Sequence, residues 1–268
     1  MRSDVAVELV GRTLRTLRRQ VLWWMLGIAL LMLTTASAWP SLEGSDALDG
    51  FDDMGAILEA FGATDLASPS GYLDGQMYAF MLPLLLSGMA ITVATGATSG
   101  DEDAGRLELL HALPISRRSV WLSRFAAAVL AVLAVATVAA VGMVAVRPAF
   151  SLEEVPAGRM VLATAGASAL AVLCGAVGYA AGGLGAARGR AAGIGVLVLV
   201  ASYVMAFIAP LSDALDGLQA WSPWDWALGQ QPVSEGIGAT GVAIVLAVTA
   251  LLVAVGTAGV ERRDIRGV

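Results

Sequence analysis

The residues of this chain that could do chemistry are few, and the most polar stretch among them is short. Residues 100–121 read GDEDAGRLELLHALPISRRSVW and include the only histidine, His111. The only cysteine, Cys174, lies in a distant apolar run, and there is no lysine. A metal site needs clustered ligands, and a Walker A motif needs a lysine beside the phosphates. We therefore expect no catalysis and no metal site here, and any ATP hydrolysis would belong to a partner.

The stretch 100–121 has the pattern of an amphipathic helix. Acidic residues stand at its start, where the helix dipole favours negative charge, and Pro114 marks its end. Glu102 and Arg106 form an i, i+4 pair, and Ser116 is placed to cap the next helix. Four leucines recur between these limits: Leu107, Leu109, Leu110 and Leu113.

The residues alone leave two interpretations of this stretch open. One is an interfacial helix that only joins two membrane spans. The other is a helix presented to the groove of a cytoplasmic partner. The stretch is longer than a joint requires, and it carries more leucine than one lipid-facing side needs.

Long apolar runs place this stretch inside a membrane protein. The 268 residues are 57% hydrophobic and 14% charged, against about 25% charged for soluble domains. A helix needs roughly 20 apolar residues to cross a bilayer. We predict an all-α integral membrane protein, a single domain over 1–268, with six transmembrane helices at 21–39, 76–98, 121–146, 160–183, 191–210 and 237–260.

The basic residues predict the orientation. All 16 are arginines, and the side of the bundle opposite the termini keeps only Arg147 and Arg159. Since cytoplasmic loops are enriched in arginine, we predict a multi-pass protein of the cell (plasma or inner) membrane with both termini cytoplasmic. The predicted outer loop, 40–75, carries eight acidic residues and no basic one. The acidic excess behind the net charge of −6 therefore lies on the outer face. Nothing in the sequence indicates nucleic-acid binding.

Residues 1–20 are predicted to form an amphipathic helix on the inner membrane surface that leads into the first span. Its two faces are composed of Glu8, Arg12, Arg15 and Arg19 on one side, and Val7, Val10, Leu14, Leu17 and Val21 on the other. A second amphipathic helix is predicted at 52–62 in the outer loop.

Patterns within the spans predict their packing. Gly178 and Gly182 form a GxxxG motif, which favours helix packing within the chain over a subunit interface. Pro83 and Pro210 are expected to kink or end their helices, as static features. Tryptophans near the span ends predict an aromatic belt: Trp23, Trp24, Trp39, Trp121, Trp221, Trp224 and Trp226. No span carries a charge well inside it, with Arg124 in the first turn of the third, which argues against proton coupling.

The sequence DEDAGRLELLHALPISR resembles the segment after the second span in permeases of the ABC-2 type exporter family. Arg106 stands where threonine is usual, and His111 falls in a run that is usually apolar. WSPWDWALGQQP at 221–232 also looks like that family, and DLASPSGYL at 65–73 suggests its antibiotic- and multidrug-exporting branch. The residues that fall on the family pattern are Gly105, Glu108, Leu109, Leu110, Pro114, Ile115, Ser116 and Arg117.

This resemblance implies a membrane subunit that moves a hydrophobic or amphipathic compound out of the cell by alternating access. Two separate ATPase subunits, carrying ATP and magnesium, would drive it, and a second permease half, identical or homologous, would complete it in the lipid membrane. The cytoplasmic segment 99–119 would be the coupling helix, and Arg188 and Arg190 are candidates for a second, smaller contact. The implied ATPase contacts are Glu102, Arg106, Leu107, Glu108, Leu109, Leu110, His111, Leu113, Pro114, Ile115, Ser116 and Arg117.

Two other classes of function compete with the exporter. A secondary carrier or channel would need no ATPase, and a non-transport scaffold would recruit a cytoplasmic partner through the same helix. The substrate and the residues that bind it cannot be identified from the sequence.

Overall fold

The computed structural model describes residues 2–42, 68–103, 116–212 and 214–262. In these ranges six helical segments are long and apolar enough to cross a membrane, which confirms the predicted all-α, six-span fold. We number them spans 1 to 6: Ala6–Leu42, Pro69–Asp103, Arg117–Phe150, Ala157–Gly183, Arg188–Leu211 and Ala239–Arg262. That 1–268 forms a single domain stays a prediction, and the helix predicted at 52–62 lies outside the described residues.

Several spans contain more than one helical element. The α-helices are α1 (Arg2–Leu42), α2 (Pro69–Leu73), α3 (Met81–Ala97), α4 (Ser99–Asp103), α5 (Arg117–Val146), α6 (Ala157–Gly183), α7 (Arg188–Tyr203), α8 (Pro223–Leu228) and α9 (Ala239–Arg262). Single π-helical turns follow α2 and α7, at Asp74–Tyr78 and Val204–Ile208. Short 3₁₀ turns occur at Arg147–Phe150, Ala209–Leu211 and Asp216–Trp221.

Because successive spans run in opposite directions, their termini gather at two ends of the bundle. The arginine-rich end holds the start of α1, all of α4, the starts of α5 and α7, and the end of α9. The tryptophan-rich end holds the end of α1, α2, the start of α6, and the whole segment between spans 5 and 6.

The predicted amphipathic helix at 1–20, called the leader below, and the first apolar run form one helix, so the leader is the first half of α1. α1 has 41 residues, which corresponds to about 61 Å at about 1.5 Å per residue, roughly twice the hydrocarbon thickness of a bilayer. No proline interrupts it before Pro40, so the helical backbone hydrogen bonds continue from the predicted amphipathic helix into the first span. Leu14, Leu17 and Val21 pack against the core of the bundle. The apolar face of the leader therefore covers protein, although Val7 is exposed.

Spans 2 and 4 form the centre of the bundle, and small residues bring them together. Gly178 faces Thr95, to whose Cγ2 an added Cβ atom would lie 2.6 Å. Gly182 in the same way faces Ser99. These contacts confirm that the GxxxG motif packs spans within the chain. The outward faces of the other spans expose large apolar side chains, as expected beside lipid, including Leu22, Leu133, Leu197 and Leu251.

The predicted aromatic belt is only partly correct. Trp23 and Trp221 are about two-thirds exposed, with relative accessibilities of 69% and 70%. Trp39, Trp121 and Trp224 are instead buried at 2% or less and belong to the core. Their rings pack on aromatic neighbours, as Trp39 does on Tyr72 with centroids 5.1 Å apart. Position near a span end does not distinguish an interfacial tryptophan from one under a loop.

Candidate functional site

The segment predicted to contact a partner lies mostly outside the described residues, and the structure describes its two flanks. One flank is α4 with Glu102, and the other is the start of α5 with Ser116 and Arg117. Ser116 Oγ accepts a hydrogen bond of 3.2 Å from the backbone N–H of Ser119, which confirms the predicted helix cap. The residues outside the described ranges are Arg106, Leu107, Glu108, Leu109, Leu110, His111, Leu113, Pro114 and Ile115.

An ion pair joins these two flanks. The Arg124 guanidinium on α5 bonds the carboxylate of Asp101 on α4 and donates to the carbonyl of Ala97 at 2.6 Å. Arg124 is buried at 8% accessibility. Its charge is therefore held between span 2 and span 3, since a buried charge requires a partner. A single arginine inside an apolar run was the sequence signal for this pairing.

A second acidic residue of α4 holds span 5. The Asp103 carboxylate accepts a 2.8 Å hydrogen bond from the backbone N–H of Arg188, at the first turn of α7. Ala187, the N-cap residue, offers no side-chain cap of its own, so Asp103 caps the helix from another span. Of the two arginines predicted to form a second contact, the structure brings Arg188 to the base of the 104–115 segment, and Arg190 is exposed beyond it.

A cavity of about 330 Å³ lies at the arginine-rich end between the leader and spans 2, 3 and 5. Three arginines from three different helices line it together with one acidic residue, threonines and small apolar side chains. The lining residues are Leu9, Arg12, Thr13, Thr16, Leu17, Gln20, Thr92, Val93, Gly96, Ala97, Asp101, Val120, Arg124 and Arg188.

At the tryptophan-rich end, a buried side chain of α8 donates a hydrogen bond to span 2 at the turn before Pro83. Pro83 has no N–H to donate to the carbonyl of Ala79 four residues earlier. The indole Nε1–H of Trp224 donates to that carbonyl at 3.2 Å. Trp224 is fully buried, and its ring lies 5.1 Å from that of Tyr203. The buried Ser222 hydroxyl donates to the Ser202 carbonyl at 2.6 Å.

The same arrangement recurs at the second proline. Pro210 cannot donate to the carbonyl of Ala206, and the side-chain amide of Gln230 donates to that carbonyl at 3.3 Å. The segment 222–230 thus supplies a donor to a carbonyl in each of spans 2 and 5. This is how membrane helices tolerate proline, by finding other donors for the freed carbonyls.

Asp74 is the buried acidic residue of this end. It has no exposed surface, and it lies in the π-helical turn at the start of span 2. Its carboxylate accepts from the backbone N–H groups of Val233 and Ser234 at 2.8 and 2.9 Å and from the Ser234 hydroxyl at 2.8 Å. The predicted outer loop, 40–75, includes Asp74; span 2 instead begins at Pro69, so this carboxylate lies within the bundle.

An apolar groove of about 490 Å³ runs between spans 3, 4 and 6. Its hydroxyl groups donate to backbone carbonyls of their own helices; Thr137 bonds Leu133 at 2.8 Å. The groove therefore presents an apolar wall. The lining residues are Val129, Leu133, Ala136, Thr137, Ala140, Val161, Thr164, Ala165, Ser168, Ala169, Val172, Val242 and Leu246. In the described ranges no group of three His, Cys, Asp or Glu residues is placed to hold a metal.

Comparison with protein families identifies the kind of protein that has this arrangement. Residues 8–260 match the family model described as multidrug efflux system permease Rv1217c, C-terminal domain. The chain belongs to this family. A comparison with curated proteins found no match.

The match covers every one of the six spans almost completely and includes both ends of the permease. Family and fold together make it a multi-pass membrane protein of the transporter class and a permease of multidrug-efflux type. Its family places it among the membrane subunits of transport systems.

Proposed function

We propose that this permease is the membrane subunit of an ATP-driven exporter of the ABC-2 type. In this proposal two ATPase subunits bind ATP and magnesium and contact the segment 99–119 from the cytoplasm. A second permease half, identical or homologous, completes the translocation path. The family description, which names a C-terminal domain of a multidrug efflux permease, supports both the transport class and the need for further components.

The observation that carries the proposal is the way the flanks of the 104–115 segment are tied to the bundle. Asp101 on one flank binds Arg124 of span 3, and Asp103 next to it caps span 5 at Arg188. Both acids belong to α4, which continues span 2. A force applied to the segment would therefore reach three spans through short polar contacts. A rigid-body switch between inward- and outward-open states needs such a connection.

The two ends of the permease fit one phase of an alternating-access cycle. Among the described residues, α8 and the loop that follows it bury side chains at the tryptophan-rich end, whereas a cavity lies at the arginine-rich end. By the positive-inside rule the arginine-rich end, with both termini, faces the cytoplasm. We infer an inward-facing arrangement that ATPase closure would convert to the outward-facing one.

We propose a hydrophobic or amphipathic compound as the substrate. The groove between spans 3, 4 and 6 offers apolar side chains and hydroxyl groups already bonded to their own helices. An apolar wall of this kind favours ligands that leave water readily.

The test is copurification of an ATPase with the tagged permease from the cells that naturally produce it, in mild detergent. Mass spectrometry should find a soluble partner with a Walker A motif in near-equal amount. Changing Leu109 and Leu110 together to Asp should remove that partner without preventing membrane insertion. The matched control is Leu184→Asp, an exposed leucine of the turn between spans 4 and 5, which should keep the partner.

Three outcomes would contradict the proposal in different ways. A double variant that retains the ATPase at the wild-type level would disprove the assignment of 99–119 as the coupling segment. If Leu184→Asp also loses the ATPase, a new negative charge anywhere at the arginine-rich end prevents copurification, and the loss is not specific to 99–119. A wild-type preparation without an ATPase would favour a secondary carrier, a channel or a scaffold.

A further inference from the structure

Among the described residues, the cavity at the arginine-rich end is lined by three basic side chains and one acidic side chain. Asp101 is the only acidic residue among the described residues that line it, and it is already bound to Arg124. Arg12 and Arg188 remain. Arg12 pairs with Glu8 at 2.7 Å, but both side chains are about two-thirds exposed, at 67% and 63%, and exposed pairs of this kind are weak.

Arg188 is the less compensated of the two. Its backbone N–H binds Asp103, whereas among the described residues no carboxylate lies within ion-pair distance of its guanidinium group. Its side chain lies along two glycines of span 2. A Cβ atom at Gly100 would lie 2.9 Å from Arg188 Cδ, and one at Gly96 would lie 3.6 Å from its Nη2. Because these two glycines have no side chains, the Arg188 side chain can lie against span 2, where it lines the cavity.

The other lining residues give the cavity an amphipathic character. Gly96, Ala97 and Asp101 lie towards the arginine-rich end of span 2, and Val93 lies one helical turn deeper. Leu17 of the leader adds a further apolar contact. A ligand held here would meet guanidinium groups at one end and aliphatic side chains at the other. The volume, about 330 Å³, lies at the lower end of the range of roughly 300–1,000 Å³ for small-molecule pockets.

We propose that this cavity binds a phosphate group through Arg12 and Arg188. Guanidinium groups match the geometry of phosphate oxygens and bind them through paired hydrogen bonds. Two sources share this chemistry: the phosphodiester headgroup of an anionic lipid and free inorganic phosphate. The bound group would join the leader to spans 2 and 5 beside the Asp101–Arg124 pair. This inference needs no ATPase and does not depend on the proposed function.

The experiment measures binding of phosphatidylglycerol to the purified, delipidated full chain by native mass spectrometry, with phosphatidylcholine, a zwitterionic lipid of zero net charge, as the comparison. The test variant is Arg12→Gln with Arg188→Gln. The matched control is Arg15→Gln with Arg190→Gln, since both are exposed arginines of the same two helices that do not line the cavity. We expect the test variant to bind phosphatidylglycerol about tenfold more weakly and the control to change by no more than about twofold.

A second arm separates the two sources. Inorganic phosphate that displaces the lipid from both the wild type and the control variant would show recognition of the phosphate group itself. Arginine-dependent lipid binding that phosphate does not displace would assign the site to the intact lipid headgroup. Phosphate binding without lipid binding, lost in the test variant, would assign it to the free anion.

Other results would overturn the proposal. Equal losses in the test and control variants would mean that the arginines attract lipid only as a diffuse surface charge. Wild-type binding of both ligands by the test variant would exclude Arg12 and Arg188 as the site. Thermal unfolding of each variant checks that a loss of binding is not a loss of fold, which we do not expect because all four side chains are exposed.

Discussion

The two ends of the bundle are held together by different kinds of interaction. At the tryptophan-rich end, buried and half-buried neutral donors from the segment 222–234 bond spans 2 and 5, and Asp74 is the one charged group in those bonds. At the arginine-rich end, the ion pair between the buried Arg124 and the 23% exposed Asp101, together with a carboxylate cap, ties spans 2, 3 and 5 beside a cavity. Among the described residues, the contacts of the first end are mostly buried and neutral, and those of the second are charged and partly accessible to solvent.

This difference has a physical consequence for where the protein can change. Buried hydrogen bonds in a low-dielectric environment are costly to leave unmade. Partly exposed charge pairs can exchange partners with water, salt or a ligand at small cost. We therefore expect a partner or an anion to act at the arginine-rich end, and we expect the tryptophan-rich end to open only when several buried contacts break together.

The largest expected effect is at the tryptophan-rich end. Trp224→Ala removes a fully buried ring from beside Tyr203 and leaves the Ala79 carbonyl without its donor. We expect a loss of about 3–5 kcal/mol in the free energy of unfolding, measured by denaturant titration in detergent. Trp221→Ala is the control, since Trp221 is 70% exposed, and should change stability by less than about 0.5 kcal/mol. Equal effects would show that α8 does not close this end.

A smaller effect should separate the two ends by its response to salt. Asp74→Asn places an amide N–H₂ against donors from Ser234, and Asp101→Asn weakens the pair with Arg124. Each should cost about 1–3 kcal/mol at low ionic strength. Raising the salt from roughly 0.01 M to roughly 1 M shortens the Debye length from about 30 to about 3 Å. The cost of Asp101→Asn should shrink, because its side chain is 23% exposed.

The cost of Asp74→Asn should stay the same, because no water reaches that carboxylate. Glu235→Gln, an exposed acidic residue beside Ser234, is the control and should have little effect in either salt. If added salt lowers the cost of Asp74→Asn as steeply as that of Asp101→Asn, the two ends do not differ in their accessibility to solvent.

The six spans could be predicted because length and hydropathy are local properties of the chain. The bonds that close the two ends could not, because their partners are far apart in the sequence. Asp74 meets Val233 and Ser234 across 159 and 160 residues, and the charge pattern alone placed it in an acidic loop. Trp224 looked like an interfacial anchor for the same reason, since its partner Ala79 is 145 residues away.

In the candidate site, too, local features could be predicted from the sequence and contacts between distant residues could not. The Ser116 cap follows from residue type and a spacing of three, and the structure confirms it. That Arg188 would lie beside α4, and Arg190 would not, depends on how span 5 packs against span 2. The contact of 99–119 with an ATPase stays a prediction, because it concerns a second protein and residues outside the described ranges.

The smallest expected effect tests whether the segment 222–230 compensates for the prolines. Gln230→Ala removes the 3.3 Å bond to the Ala206 carbonyl and should cost about 0.5–1.5 kcal/mol. Pro210→Ala restores a backbone N–H that can donate to that carbonyl. In the Pro210→Ala background the cost of Gln230→Ala should therefore fall to about half or less, as a coupling energy in a double-mutant cycle.

Pro83→Ala is the matched control background for this cycle, because its freed carbonyl, Ala79, is bonded by Trp224 and not by Gln230. There the cost of Gln230→Ala should be unchanged, since the two sites share no donor and no acceptor. If Gln230→Ala costs the same in all three backgrounds, its amide does not replace the bond that Pro210 lacks. If Gln230→Ala costs less in both proline variants, the two prolines affect the stability of the tryptophan-rich end as a whole. The interpretation that each freed carbonyl is bonded by its own separate donor would then be wrong.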